Sequence, residues 1–320
     1  MATPLSTIPE CPFSEATRIG KDLLGALNSI LRGKEQFLTL LLAAFFGGGH
    51  VLVEDLPGLG KTTLAKGLAQ LITGKFRRIQ GTPDLLPYDI TGVDVFNPKT
   101  QSFEFSPGPV FTNFLLVDEV NRTTPKVQSA LLEAMAEGQV TQGLQTHPLP
   151  EFFFVLATQN TVDVEGTYPL PLAQVDRFML RLTLGYPNEE AEISVYRDNP
   201  ASQLATLRPI CTVDQIVQIR NLVQQVYLDP NILRFVRELV HTTRNHPALQ
   251  LGASPRAGLH LLQAARGLAL LKNRTFVTDE DIHTLVCPVL AHRIRPKDTS
   301  FNTEEFLYTQ SLHLAKELLP

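Results

Sequence analysis

Lys61 and Thr62 close the run Leu56-Pro57-Gly58-Leu59-Gly60-Lys61-Thr62-Thr63. The run follows a short apolar stretch, His50-Val51-Leu52-Val53, and leads into helix-forming sequence as far as about Thr73. Gly58 and Gly60 allow the backbone to curl so that its N–H groups converge on an anion. The helix that starts there adds the positive end of its dipole. In such a cradle Pro57, Gly58, Leu59, Gly60, Lys61, Thr62 and Thr63 surround the phosphates of a nucleotide. Lys61 reaches the β- and γ-phosphates, and Thr62 offers its hydroxyl to Mg²⁺. The strict pattern opens with glycine, and Asp55 stands in that place here. An ordinary strand, turn and helix with a surface lysine would not call for Gly-Lys-Thr at this point.

A second set of groups complements the first. Phe114-Leu115-Leu116-Val117 is an apolar strand that ends in Asp118 and Glu119. A parallel strand delivers its C-terminal end to the ligand crevice. Asp118 there holds Mg²⁺ through its water shell, and Glu119 orients and polarises an attacking water. Two adjacent carboxylates repel unless a cation lies close, and Mg²⁺ supplies it. Phe152 to Ala157 forms a third apolar strand and runs into Thr158-Gln159-Asn160, so Asn160 can reach water or the γ-phosphate. Arg177 sits in Gln174-Val175-Asp176-Arg177-Phe178, and Arg256 follows Ser254-Pro255 in the first turn of a helix. A cation at a helix N-terminus opposes the dipole unless an anion binds there. Phosphoryl transfer gains most from cations on the developing charge, so both arginines are candidates for that work. The reaction that such a set of groups implies is transfer of the ATP γ-phosphoryl group to water.

The elements that position these residues follow from periodicity. Ser14 can cap a helix with Ile19, Leu23, Leu27, Ile30 and Leu31 on one side, and a second helix runs from about Lys34 to Phe46. Between the second and third strands Thr124 and Pro125 open a helix with Val127, Leu131 and Met135 on one face. Strands alternating with helices imply an α/β unit with a mostly parallel sheet. From about Val213 the chain reads as all helix, with starts near Thr212, Asp229, Ser254, Thr278 and Thr303. The linker is Asn199 to Pro209, and residues 1–13 form a loose arm.

Composition bounds the rest. Apolar residues make up 43% of the 320 and charged residues 19%, enough for a sizeable core and two domains. A formal net charge of −4 is not that of a dedicated nucleic-acid binder. Cys11, Cys211 and Cys287 have neither metal nor redox spacing and read as reduced thiols in the cytoplasm. The apolar run Leu38 to Phe46 stops at Gly47-Gly48-Gly49, short of the roughly 20 residues a membrane span needs.

Taken together, Arg78 to Pro87, Gly92 to Gly108, Asp118 to Thr141, Gly166 to Pro171 and Gly252 to Arg256 resemble the MoxR family of AAA+ ATPases, relatives of magnesium-chelatase ATPase subunits. The resemblance spans about Ile30 to Ile294. It implies a P-loop AAA+ αβα core over residues 1–208 and a smaller helical lid over 209–320. It also implies a hairpin inserted at about 92–112 and a second at about 138–151. Asn160 becomes sensor 1, Arg177 an arginine finger acting in trans, and Arg256 the sensor-2 arginine of the lid. Gly81 stands where an aromatic is common, Thr161 where a proline is, and Leu172 where a glutamate is.

The leading expectation is an ATPase that remodels a partner protein, as a hexameric ring. An engine without a client-reading domain implies an adaptor, and the resemblance points to a protein with a von Willebrand factor A domain. Phe96, Phe103 and Phe105 on the inserted hairpin either pack it onto the core or form spare binding surface. A DNA motor should carry Lys or Arg at the tip of the second hairpin, and Thr141 to His147 holds neither. The alternatives are such a motor or the ATPase subunit of a chelatase-like complex.

Overall fold

The structure is a computed structural model, and it describes residues 12–54, 59–143, 145–160, 166–198 and 203–319. Pro57, Gly58, Thr161 and the arm before Pro12 lie outside the described residues.

Two helices come first among the described residues, α1 (Phe13–Ile30) and α2 (Glu35–Gly47). The backbone of Pro12, not Ser14, forms the N-cap of α1, so Ser14 falls inside the helix. β1 (Val51–Glu54) and α3 (Lys61–Leu71) flank the phosphate cradle. β2 (Phe76–Gln80) and the short α4 (Pro87–Thr91) lead to an antiparallel hairpin, β3 (Gly92–Asn97) with β4 (Ser102–Pro107). β5 (Phe114–Asp118), α5 (Pro125–Glu137) and a second hairpin of β6 (Gln139–Gln142) with β7 (Gln145–Pro148) follow. β8 (Phe154–Gln159), α6 (Leu172–Val175), β9 (Leu180–Leu182) and α7 (Glu189–Asp198) complete this part.

The main sheet has five strands in the order β2-β5-β8-β1-β9, all parallel. Alternate residues of each strand enter two separate cores. Val51, Val53, Phe114, Leu116, Phe154 and Leu156 join α1, α2 and α3 on one face. Leu52, Leu115, Val117, Val155 and Ala157 join Val127, Leu131 and Leu132 of α5 on the other. Both faces are covered, which is why the central strands read as unbroken apolar runs. β2 and β9 were not legible in that way. Each lies at an edge of the sheet, and in β2 only Ile79 is buried.

The C-terminal part is helical: α8 (Val213–Gln224), α9 (Pro230–Asn245), α10 (Pro255–Leu271), α11 (Asp279–Leu290) and α12 (Thr303–Leu318), with a small pair of strands, β10 (Leu249–Leu251) and β11 (Arg295–Pro296). The side chains of Thr212, Asp229 and Ser254 accept the N–H of Gln215, Asn231 and Ala257, satisfying donors the first helical turn leaves open. α12 is capped by Asn302, one residue before the expected Thr303. α10 lies against α2 at contact distance. A Cβ on Gly267 would stand 2.1 Å from the Ala43 carbonyl oxygen, and one on Gly47 would stand 2.7 Å from that of Gln263. Glycine is the residue that permits such an approach, and it merges the two parts of the chain into one apolar core.

Candidate functional site

Gly60 is the N-cap of α3 and has φ of +91°, in the left-handed region that glycine enters without strain. Gly60 has no side chain to cap the helix, and the start of a helix is where backbone N–H groups and the dipole favour an anion. The start of α3 borders a cavity of about 340 Å³ lined by Leu59, Gly60, Lys61, Thr62, Thr63, Arg78, Gln80, Asp118, Glu119, Thr158 and Asn160. The structure thus brings the described part of the cradle, both acids and Asn160 to one place, at the C-terminal ends of β5 and β8.

The two acids are held differently. Asp118 is 7% exposed and accepts from Arg78 Nε at 2.8 Å and from Thr158 Oγ1 at 3.2 Å. Glu119 has φ of 55° and ψ of 51°, a left-handed conformation that costs a non-glycine residue about 1 kcal/mol. Its N–H donates to Thr158 Oγ1 at 2.9 Å, and its carboxylate accepts from Gln80 Nε2 at 3.0 Å. Arg78 Nη2 in turn donates to Gln80 Oε1 at 2.8 Å. One chain of side chains from β2 therefore reaches both carboxylates. Gly81 continues it: its N–H donates to the Asp118 carbonyl at 2.7 Å, and a Cβ there would stand 2.2 Å from the Glu119 carbonyl oxygen. Glycine stands at this position because the end of β2 runs against the backbone of the acids. Asn121 clasps the backbone of Asn160, donating to its carbonyl at 3.0 Å and accepting from its N–H at 3.4 Å.

Arg78, Gln80, Thr158 and Asn121 had no chemical signal of their own in the sequence. Thr158 shares with Asn160 the polar stretch after an apolar strand. Arg78 and Gln80 belong to a β2 that apolar periodicity could not reveal.

The donor set fits a hard divalent cation. Asp118 and Thr62 present oxygen atoms to one cavity, and Mg²⁺ is ordinarily held by one or two carboxylates plus substrate phosphates. Among the described residues no cluster of three His, Cys, Asp or Glu could hold a metal ion by itself. A cation here would share Asp118 with Arg78 or displace it.

Arg177 and Arg256 do not line this cavity. Arg177 Nη1 donates to the carbonyl of Leu132 in α5. Arg256 stands 3.8 Å from the carboxylate of Asp176, the residue before Arg177. On the first hairpin Phe105 stacks on His147 of the second, with centroids 3.8 Å apart, and meets Phe111 edge-on. Phe96 and Phe103 form a pair at 5.5 Å and remain exposed, Phe103 at 71%. Of the three phenylalanines one packs the hairpin and two face outward.

Comparison with known proteins agrees with this geometry. Residues 50–180 match the model of the ATPase family associated with various cellular activities, and residues 241–307 match the AAA lid domain. An uncharacterised protein of Bacillus subtilis, YeaC, is 47% identical over 84% of this chain and 84% of its own length. Chaperone MoxR1 of Mycobacterium tuberculosis is 38% identical over 84% of this chain and 73% of its own. A crystal structure of a protein assigned as an ATPase, from Cytophaga hutchinsonii, superposes with a TM-score of 0.86 at 38% identity and covers 93% of this chain and 94% of that one. None of the described helices is long and apolar enough to cross a membrane. The cradle, the paired acids, the parallel sheet and these relatives together make the chain a member of the MoxR family of AAA+ ATPases and an ATP-hydrolysing enzyme.

Proposed function

We propose that the protein couples Mg²⁺-dependent ATP hydrolysis to chaperone-like remodelling of a partner protein in the cytoplasm, as a hexameric ring working with a protein that carries a von Willebrand factor A domain. The observation that carries this reading is the division of the charged groups. Lys61, Thr62, Asp118, Glu119 and Asn160 meet at one cavity, while Arg177 and Arg256 stand outside it, Arg177 next to Asp176 in the chain and Arg256 next to it in space. Lys61 supplies the point charge for the β- and γ-phosphates, with the N–H groups at the start of α3 around it. Thr62 and Asp118 hold Mg²⁺, which would neutralise phosphate charge. Glu119 orients and polarises the attacking water, and Asn160 positions that water or the γ-phosphate. Arg177 and Arg256 face the nucleotide of a neighbouring subunit, where a cation stabilises the charge that develops on the transferred group.

The exposed pair Phe96 and Phe103 supports a protein as the partner, because aromatic residues are enriched in protein interfaces. The second hairpin carries no Lys or Arg between Thr141 and His147, which gives little to a phosphate backbone.

The test uses Glu119→Gln, expected to bind ATP and to turn it over at least roughly 100-fold more slowly, since the cradle stays and the water is no longer polarised. Purified from its native host with ATP, this variant should retain a von Willebrand factor A domain protein over a Lys61→Ala control, which lacks the cradle charge. Adding that protein to the wild type should raise the ATPase rate. If neither occurs, direct client handling by the ring replaces the adaptor.

A further inference from the structure

Arg293 lies in the 3-10 turn that follows α11, residues Ala291–Arg293, and is 2% exposed. Burying a guanidinium is costly, and an apolar residue of similar volume often serves a core as well or better. This one is used for its fork of donors. Its Nη2 donates to the carbonyl of Asp176 at 3.0 Å and to that of Phe178, the residues on either side of Arg177. Its Nε lies 3.0 Å from the Asp176 carboxylate, and Nη1 donates to the Val289 carbonyl at 2.9 Å. The two neighbours of Arg177 are thus gripped by one side chain from the helical part, and no lysine has the geometry to do the same.

Asp176 is also the meeting point of two groups at the start of α10, its N-cap Ser254 and Arg256. Ser254 Oγ donates to its carboxylate at 3.1 and 3.2 Å, and Arg256 approaches at 3.8 Å. His292 Nε2 meets the Phe178 carbonyl at 3.3 Å. Burial pulls the guanidinium of Arg293 down to about 10 and Asp176 counters the loss, so it stays cationic at neutral pH. Buried groups without water to compensate for a shift hold their partners to narrow geometry.

We propose that Arg293 is a positioning residue for ATP hydrolysis: by clamping Asp176 and Phe178 it fixes the segment on which Arg177 is presented to the neighbouring subunit, and it ties that segment to Arg256 through the shared Asp176. The inference rests on the reading of Arg177 as a residue acting in trans. It makes the helical lid part of the donor edge, so that Arg177 and Arg256 are delivered together.

The experiment measures nucleotide affinity, ATPase rate and recovery on mixing. Arg293→Met keeps the apolar stem and removes the fork. ATP affinity at the cradle should stay within about twofold and the rate should fall roughly tenfold or more, since only a group acting in the transition state is misplaced. Mixing with Lys61→Ala subunits, which carry an intact Asp176–Phe178 segment and no working cradle, should raise the rate per Arg293→Met chain severalfold. Asp176→Asn keeps the shape of the carboxylate and the backbone acceptors, and should show the same pattern more weakly; it decides the matter if Arg293→Met does not fold. Arg177→Ala mixed with Lys61→Ala is the control. Absence of recovery in that control removes trans action by Arg177, and the positioning role with it. Recovery in the control with none for either clamp variant overturns the positioning role alone. Parallel loss of affinity and rate in the clamp variants also overturns it, because that is the mark of a merely structural residue.

Discussion

At the scale of single residues, the site divides into groups that announce themselves and groups that do not. Lys61, Thr62, Asp118 and Glu119 were legible because each belongs to a short run whose chemistry is tied to its order along the chain. The residues that hold the acids were not. Arg78 and Gln80 act across the gap between β2 and β5, and such pairing has no signature within either strand. Arg293 lies 117 residues from Asp176 in sequence, and its grip exists only in the fold. Gly81 can be tested directly. An added methyl would stand 2.2 Å from the Glu119 carbonyl oxygen, so β2 or the acids must shift. Gly81→Ala should lower the ATPase rate by roughly 10- to 100-fold, the scale that about 1 Å of misplacement imposes on an active site. ATP affinity should change much less, since the cradle at α3 is untouched. A wild-type rate in steady-state assays would mean that the β2 chain of contacts is not needed to place Glu119.

At the scale of elements, apolar periodicity located what lies at the centre and overlooked what lies at the rim. β1, β5 and β8 are covered on both faces and read as continuous apolar runs. β2 exposes Arg77, Arg78 and Gln80, and β9 is three residues long, so neither offers a run to find. The packing of α10 on α2 was equally hidden, because small residues at a helix crossing look like any other small residues. Gly267→Ala places a methyl 2.1 Å from the Ala43 carbonyl oxygen, and the two helices must part. Overpacking of this kind costs about 1–3 kcal/mol. The midpoint of chemical unfolding should fall accordingly, while Gly25→Ala, in α1 with open space around it, should raise it slightly by favouring the helix. Equal stability of Gly267→Ala and wild type would show that the helices are not in contact there.

At the scale of the whole molecule, three histidines sit where the fold resists their protonation, His292 buried and His50 and His260 half-buried. Burial pushes His50 down to about 4 and His260 down to about 3, each also pressed by nearby arginines, and holds His292 well below its usual value. In the unfolded chain all three take up a proton near pH 6.5, while in the folded chain they do not. Stability is therefore fully present above pH 6.5 and falls as pH drops from there toward the folded values. From pH 7.5 to 5.5 the loss should amount to about 4 kcal/mol at most, one tenfold step in proton binding per histidine. Urea unfolding at the two pH values measures it, and an unchanged midpoint would mean that these rings are hydrated or charged in the fold. Assembly is the other property of the whole. Among the described residues the cavity is lined by the cradle, two acids and an asparagine, and Arg177 and Arg256 do not line it. On the proposed reading a single chain is an incomplete catalyst, and hydrolysis depends on a neighbour. The most direct measurement is the ATPase rate per chain across a wide range of protein concentration, with sedimentation run in parallel. The rate per chain should rise steeply over the range in which the assembly forms and then level off. A constant rate from a chain that sediments as a monomer throughout would contradict the account.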